Sequence, residues 1–218
     1  MNDFTEKLAP GGEDHTFTLA DPNYDHLWEE LLQKDIDEIK RNALVQIAGA
    51  NRFVITMAGA DYLLDTQARS VTGPADRLPP DKRTVLSLAY YLNGVTADPL
   101  SNNMVPEKVL PGGDRFFAGT HALKREPILK NFAQSGSDFI GAAESLGAEI
   151  LSKGPDAFSF KLRLLPKIMV QVILGEEDEE FPAQVSYAFD DSAVKHVSLG
   201  VLANLISILN DQMVLSAS

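Results

Sequence analysis

Three consecutive stretches near the C-terminus alternate apolar and polar residues, and the short links between them leave few folds open. They are residues 158–164, the more uniformly apolar run 168–174, and residues 185–189. A two-residue period is typical of a strand that buries one face. Strands that follow one another through short connections pair antiparallel. The sequence therefore predicts a three-stranded antiparallel meander, with residues 168–174 as its most buried strand.

In the rest of the chain, apolar residues recur mostly at helical spacing, and one earlier stretch shows two-residue alternation. The predicted elements are a helix from Asp21-Pro22 to about Leu44, a hairpin over 53–64 with a third strand near 68–72, a helix over 85–92 that ends at Asn93-Gly94, a short helix from Pro127 to about 133, a helix capped near Ser137 and stopped at 153–155, and a buried closing helix capped by Asp190 or Asp191. This order predicts an α+β fold, with an antiparallel sheet packed by about four to five helices.

No internal repeat or linker divides the chain of 218 residues. Residues 1–20 contain Pro10-Gly11-Gly12 and show no sustained period, so we expect a mobile leader. Residues 21–218 are then expected to form a single α+β domain. The first residues have neither a basic nor an apolar signal region, which favours a cytoplasmic protein.

Composition excludes several classes of function. The chain has no cysteine, so a disulfide, a catalytic thiol and a self-contained Cys-ligated iron–sulfur cluster are ruled out, and any other cofactor is left open. Its net charge of −12 argues against nucleic acid and anionic lipid as partners. No stretch approaches the roughly 18 uninterrupted apolar residues that a membrane span requires. Oligomeric state is left open.

Residues 94–126 are the least regular part of the chain and a candidate binding segment. The backbone at Gly112-Gly113 could approach an anion beside Arg115, although a structural turn is the simpler interpretation. Tyr91, at the end of the second helix, is a candidate pocket residue, with core packing as its alternative. His121 is the histidine we would test first as a catalytic group, because His26 and His196 are expected on helices as exposed or satisfied side chains.

Five consecutive acidic residues, Glu176 to Glu180, precede Phe181-Pro182. Among them, Asp178 and Glu180 are candidate catalytic acids and candidate ligands for a divalent cation. A solvated acidic connection is the competing interpretation. Asp190 and Asp191 lie one strand further on, roughly 20 Å away at the usual rise per residue, which argues against a shared site.

Three segments together resemble a known family: SLAYYLNGVTADPL, EKVLPGGDRFFAGT and LPKIMVQVILGEEDEEFPAQVSYAFDDSA. They are similar to the bacterial and archaeal family catalogued as domain of unknown function 3786, common in anaerobes. The motifs Asp178-x-Glu180-Phe181-Pro182 and Phe189-Asp190-x-Ser192-Ala193 are the most specific. Some relatives are joined to a cysteine-rich iron–sulfur segment, which implies redox or corrinoid-type anaerobic metabolism nearby. This chain departs from that pattern because it lacks cysteine.

Three functional hypotheses follow. The first is an accessory or binding module in anaerobic metabolism that engages a small molecule or a partner protein. The second is an enzyme that uses carboxylates, with or without a divalent cation. In this hypothesis Asp178, Glu180 and Asp190 are the acids, and Arg115 or His121 contacts the substrate. The third is a structural subunit of a complex. Whether the protein is an enzyme is left open at this point.

Overall fold

The computed structural model describes residues 15–154, 157–177 and 181–217. Its strands form two antiparallel five-stranded sheets, in the orders β1-β5-β4-β3-β2 and β6-β10-β9-β8-β7. The strands are β1 His15–Thr18, β2 Gln46–Gly49, β3 Arg52–Met57, β4 Ala60–Asp65, β5 Ser70–Gly73, β6 Met104–Pro106, β7 Glu149–Lys153, β8 Phe158–Leu165, β9 Ile168–Gly175 and β10 Gln184–Asp190.

Seven α-helices occur in the described residues. They are α1 Asp25–Gln33, α2 Ile36–Ala43, α3 Lys82–Gly94, α4 Gly113–Phe116, α5 Glu126–Phe132, α6 Gly136–Ser145 and α7 Leu199–Ser216. The α+β class is therefore confirmed, with two sheets and more helices than expected. Helix α3 packs on α1 and α7, and α7 also contacts α5 and α6.

The C-terminal meander is confirmed as β8, β9 and β10. Their registers place apolar residues in rows across the three strands, such as Phe160 beside Val172 beside Tyr187. All three side chains of this row are almost fully buried. Complete burial of such a side chain stabilises the fold by about 1.5–3 kcal/mol. The buried positions are therefore apolar, and this produces the alternation that predicted the strands.

The early hairpin is also confirmed, as β3 and β4, with β5 as the predicted third strand. Its turn meets the second sheet, where the amide of Ala58 donates to the carbonyl oxygen of Leu164 at 3.2 Å. Gly59 in that turn has φ +79°, and a Cβ there would lie 2.1 Å from the carbonyl oxygen of Leu146. Buried side chains of both sheets belong to one hydrophobic cluster.

The predicted helix from Asp21 to Leu44 is interrupted. Lys34 adopts an extended conformation, and Asp35 begins a second helix by accepting hydrogen bonds from the amides of Asp37 and Glu38. An Asp side chain in this position stabilises a helix start. The continuous apolar spacing concealed this break because α1 and α2 both bury their apolar faces.

Two predicted helix boundaries near the C-terminus are also wrong. The helix that was expected to stop at 153–155 ends at Ser145, because Gly147 adopts φ +76° and the next residues form β7. Asp190 caps a 3-10 helix, Asp191–Lys195, instead of the closing helix. Helix α7 begins later and is capped by Ser198, whose side chain accepts from the amide of Val201.

The two least regular regions contain structure as well. Residues 15–18, expected within the leader, form the edge strand β1, and residues 1–14 lie outside the described part. The segment 94–126 contains β6, α4 and a 3-10 helix, Gly119–His121. Within the described residues, α7 is the one helix long and apolar enough to cross a membrane by length and composition, and half of it is buried in the protein.

Candidate functional site

The acidic stretch is only partly described. Asp178 and Glu180, the candidate catalytic and metal-binding acids, lie outside the described residues. Glu176 precedes them and accepts a hydrogen bond from the amide of Gly136, the first residue of α6, at 2.5 Å. A carboxylate at this position stabilises a helix N-terminus. This acid therefore has a structural role at α6.

The glycine-rich candidates form a surface turn around α4. Gly112 has φ +76° and precedes the helix, while Gly113 is buried, and a Cβ on it would lie 2.1 Å from the carbonyl oxygen of Glu107. Arg115 is exposed. His121 is also exposed, and its ring stacks on Phe116 with 4.7 Å between centroids. Close packing of backbone explains the need for glycine at position 113.

The two adjacent tyrosines of α3 point to different environments. Tyr91 is fully buried, and its hydroxyl donates to the carbonyl oxygen of Ala43 at 2.9 Å. Burial raises the pKa of this hydroxyl well above its usual value. Tyr91 therefore belongs to the core, and Tyr90 is the tyrosine that lines a cleft.

That cleft lies between α1, the end of α3 and the residues before α7, and it encloses about 490 Å³. Its walls are formed by His26, Leu27, Glu30, Tyr90, Asn93, Gly94 and residues 194–198. Asn93 donates through Nδ2 to the carbonyl oxygen of Leu27 at 3.0 Å, whereas its buried Oδ1 has no partner within the described part of the chain.

His196 is the most buried polar residue of this wall, with 1% of its surface exposed. Its Nδ1 accepts from the amide of Thr96 at 3.4 Å, which assigns the ring proton to Nε2. Nε2 is buried and has no hydrogen-bond partner among the described residues. A buried donor without a partner lowers the stability of the fold by about 1–3 kcal/mol. The unpaired Nε2 of His196 therefore has to be explained.

Polar groups surround the ring. Lys167, which is 6% exposed, donates to the carbonyl oxygen of Thr96 at 2.7 Å, and Lys195 pairs with Asp98 at 3.1 Å. Burial, and after it the charge of Lys167, lowers the pKa of His196. Burial also lowers the pKa of Lys167, against the opposing effect of Asp98. The ring is therefore held in its neutral form.

Asp190, the third acid of the enzyme hypothesis, has both carboxylate oxygens occupied by hydrogen bonds from its own chain. Oδ1 accepts from the amides and hydroxyls of Ser101 and Ser192, and Oδ2 accepts from the amide of Asn102 at 2.6 Å. Burial by itself raises the pKa of Asp190, but the hydrogen bonds from Ser192 and Ser101 outweigh it and keep the pKa below 3.8. This carboxylate fixes a loop to the end of β10.

No group of three or more histidine and acidic side chains suitable for a metal ion occurs in the described ranges. Tyr91 was predicted to line a pocket in place of Tyr90, and His196 was expected to be an exposed or satisfied side chain. Asn93 and Lys167 were not predicted to contribute to a site. The sequence contained one signal for His196. Asp190-Asp191-Ser192 is a capping pattern that predicts a local turn, which indicates that His196 does not lie in a regular helix. The burial of Lys167 had no signal, since the lysine follows a proline in a hairpin turn.

The comparisons with known proteins give one match. The family model described as Domain of unknown function (DUF3786) matches residues 35–211. No curated protein and no solved structure matches the chain significantly. Because the matched range covers most of the chain, including α3, β10 and the larger part of α7, this protein belongs to the DUF3786 family.

Proposed function

We propose that this protein is a binding module for a small polar molecule, which lies in the cleft between α1, the end of α3 and the start of α7. The observation that carries the proposal is the buried Nε2 of His196, a donor without a partner on a residue of the cleft wall. The cytoplasmic location, expected from the sequence, and the setting in anaerobic metabolism, implied by the family resemblance, are part of this proposal.

The chemistry of the cleft supports a ligand that carries both a hydrogen-bond acceptor and a donor. His196 carries the unpaired donor Nε2 and Asn93 the unpaired acceptor Oδ1; both atoms are buried, so a ligand that uses them has to displace the side chains that cover them. Tyr90 adds an aromatic surface, and His26 and Glu30 lie on the α1 side. A volume of about 490 Å³ falls in the range of small-molecule sites, which combine apolar walls with a few polar groups.

A binding role is favoured over the carboxylate enzyme because of Asp190. An acid that transfers protons needs a free position for the substrate, but this carboxylate accepts five hydrogen bonds from its own chain. The part of that hypothesis that rests on Asp178 and Glu180 stays a prediction.

Binding is tested by adding small carboxamides, hydroxy acids and nucleobases one at a time to ¹⁵N-labelled protein. We expect at least one probe to shift the amide signals of Asn93, Gly94, Val197 and Ser198 together, because these residues line one cleft. Substitution Y90A should weaken that binding about tenfold, which corresponds to about 1.4 kcal/mol, through loss of the aromatic wall.

The matched control is N42A, which alters a separate surface cleft beside Lys34 and Asp35. It should leave the affinity unchanged. The proposal is wrong if no probe of the three classes shifts these amides, or if Y90A and N42A have the same effect.

A further inference from the structure

The loop of residues 95–103, which follows α3, is attached to the protein by side chains near both of its ends. Near the first end, His196 accepts from the amide of Thr96, Lys167 donates to the carbonyl oxygen of Thr96 at 2.7 Å, and Lys195 pairs with Asp98. At the other end, the amides of Ser101 and Asn102 donate to Asp190. The contacts to His196 and Asp190 are more sensitive to pH than a strand ladder, because these acceptors titrate. The two attachments use different titratable groups and therefore respond to different ranges of pH.

The attachment at Asp190 is the acid-resistant one. Its pKa lies below 3.8, so the carboxylate keeps its charge and its five hydrogen bonds at any mildly acidic pH. Asn103 adds a second contact on this side, donating through Nδ2 to Asp191 at 2.9 Å. This end of the loop is fixed.

The attachment at Thr96 depends on a neutral histidine. Nδ1 of His196 accepts the amide hydrogen of Thr96 only while that nitrogen carries no proton. A protonated ring would place a second hydrogen against the amide and break the contact. The hydroxyl of Thr96, also 3.4 Å from Nδ1, is already bonded to Asp98 at 2.7 Å.

Charged groups face the ring from every neighbouring element. Lys167 lies in the β8–β9 turn and Lys195 in the adjacent 3-10 helix, and both oppose protonation. Asp98 of the loop and Asp190 at the end of β10 favour it. Two further titratable residues, His26 and Glu30, lie on the α1 wall of the cleft.

We propose that His196 is a pH-sensitive clasp on the amide of Thr96: protonation of its ring releases this amide, while Lys167 and Lys195 still bind neighbouring groups of the 95–103 loop and Asp190 holds the other end. Burial, which lowers the pKa of the ring, keeps the clasp closed at neutral pH. The inference does not depend on whether the cleft binds a ligand.

The test is residue-resolved amide hydrogen exchange at about pH 7.5 and about pH 5, corrected for intrinsic rates. The amide of Thr96 should lose protection by about tenfold or more at the lower pH, whereas the amides of Ser101 and Asn102 should keep theirs. Unchanged protection at Thr96, or an equal loss at all three amides, would overturn the proposal.

The variant H196N separates titration from packing, because the asparagine oxygen takes the place of Nδ1 but gains no proton. Its Thr96 amide should be equally protected at both values of pH, and a persistent difference would contradict the clasp. A second variant, K195M, removes an exposed charge that opposes protonation and also unpairs Asp98, whose charge favours protonation. It should move the midpoint of release to higher pH, and an unchanged midpoint would also contradict the proposal.

Discussion

Substitution D190N is expected to destabilise the protein strongly, although it changes a single atom. Oδ1 of Asp190 accepts four hydrogen bonds and Oδ2 accepts the fifth, from the amide of Asn102 at 2.6 Å. The asparagine oxygen can keep the four bonds to Ser101 and Ser192. Its NH₂ group then meets the amide of Asn102, donor against donor.

The magnitude follows from this geometry. One bond to a charged acceptor is lost, which costs about 1.5–3 kcal/mol, and the amide of Asn102, which belongs to an exposed residue, faces a second donor. The four remaining bonds become neutral and therefore weaker. We expect the free energy of unfolding to fall by about 3 kcal/mol, a large part of the total for a protein of this size.

Urea denaturation at neutral pH measures this effect as a lower midpoint with an unchanged slope. The neighbouring substitution D191N is the matched control, because Asp191 is partly exposed and its side chain accepts from the side chain of Asn103 instead of from backbone amides. Its midpoint should stay near that of the unmodified protein.

The pH dependence provides a second check. Since the folded-state pKa of Asp190 is below its ordinary value of 3.8, its contribution is present above that pH and disappears as the pH falls through the folded-state pKa. The difference between D190N and the unmodified protein should shrink in the same range. Equal midpoints for D190N and D191N at neutral pH would refute the reasoning.

Three further perturbations have expected outcomes. Because the folded-state pKa of His196 lies below 6.5, the unfolded state binds the proton first, and the free energy of unfolding should decrease as the pH falls below 6.5. Denaturation midpoints measured against pH should show this decrease in the unmodified protein and a flatter dependence in H196N. Leu44 is 58% exposed with φ +55°, so L44G should raise stability by about 0.5–1 kcal/mol in thermal unfolding, and N51G should raise it less because asparagine tolerates this conformation; equal gains would contradict the explanation. G59A should lower the free energy of unfolding by more than about 2 kcal/mol because the new Cβ would clash with backbone, whereas G141A, whose Cβ would meet open space within α6, should raise it by about 0.5–1 kcal/mol. Similar melting temperatures for the two variants would refute the clash.

Regular elements were predictable where burial and period agree. Strand β9 has its inward-facing side chains fully buried, and Asp81 caps α3 by binding the amide of Thr84, so both elements follow from local sequence. Boundaries were less predictable because single residues decide them. Asp35 begins α2 inside an unbroken apolar pattern, and Gly147 ends α6 before strand β7.

The candidate site was much less predictable than the fold. Tyr90 and Tyr91 are equivalent in the sequence, and only the packing of α3 places one in the core and the other on the cleft. His196 gains its properties from burial beside Lys167, which is distant in the sequence. A side chain acquires such an environment only when several elements assemble around it.

The sequence by itself determined the α+β class, the meander, the early hairpin and the exclusion of cysteine chemistry, because these depend on local periodicity and on composition. The tertiary structure decided that β1, β2, β6 and β7 extend the strands into two five-stranded sheets, and that Asp190 fixes a loop. It also decided that His196 lies buried beside a cleft. The physical reason is that strand pairing, burial and hydrogen bonding between distant residues are free-energy terms that no local window of sequence contains.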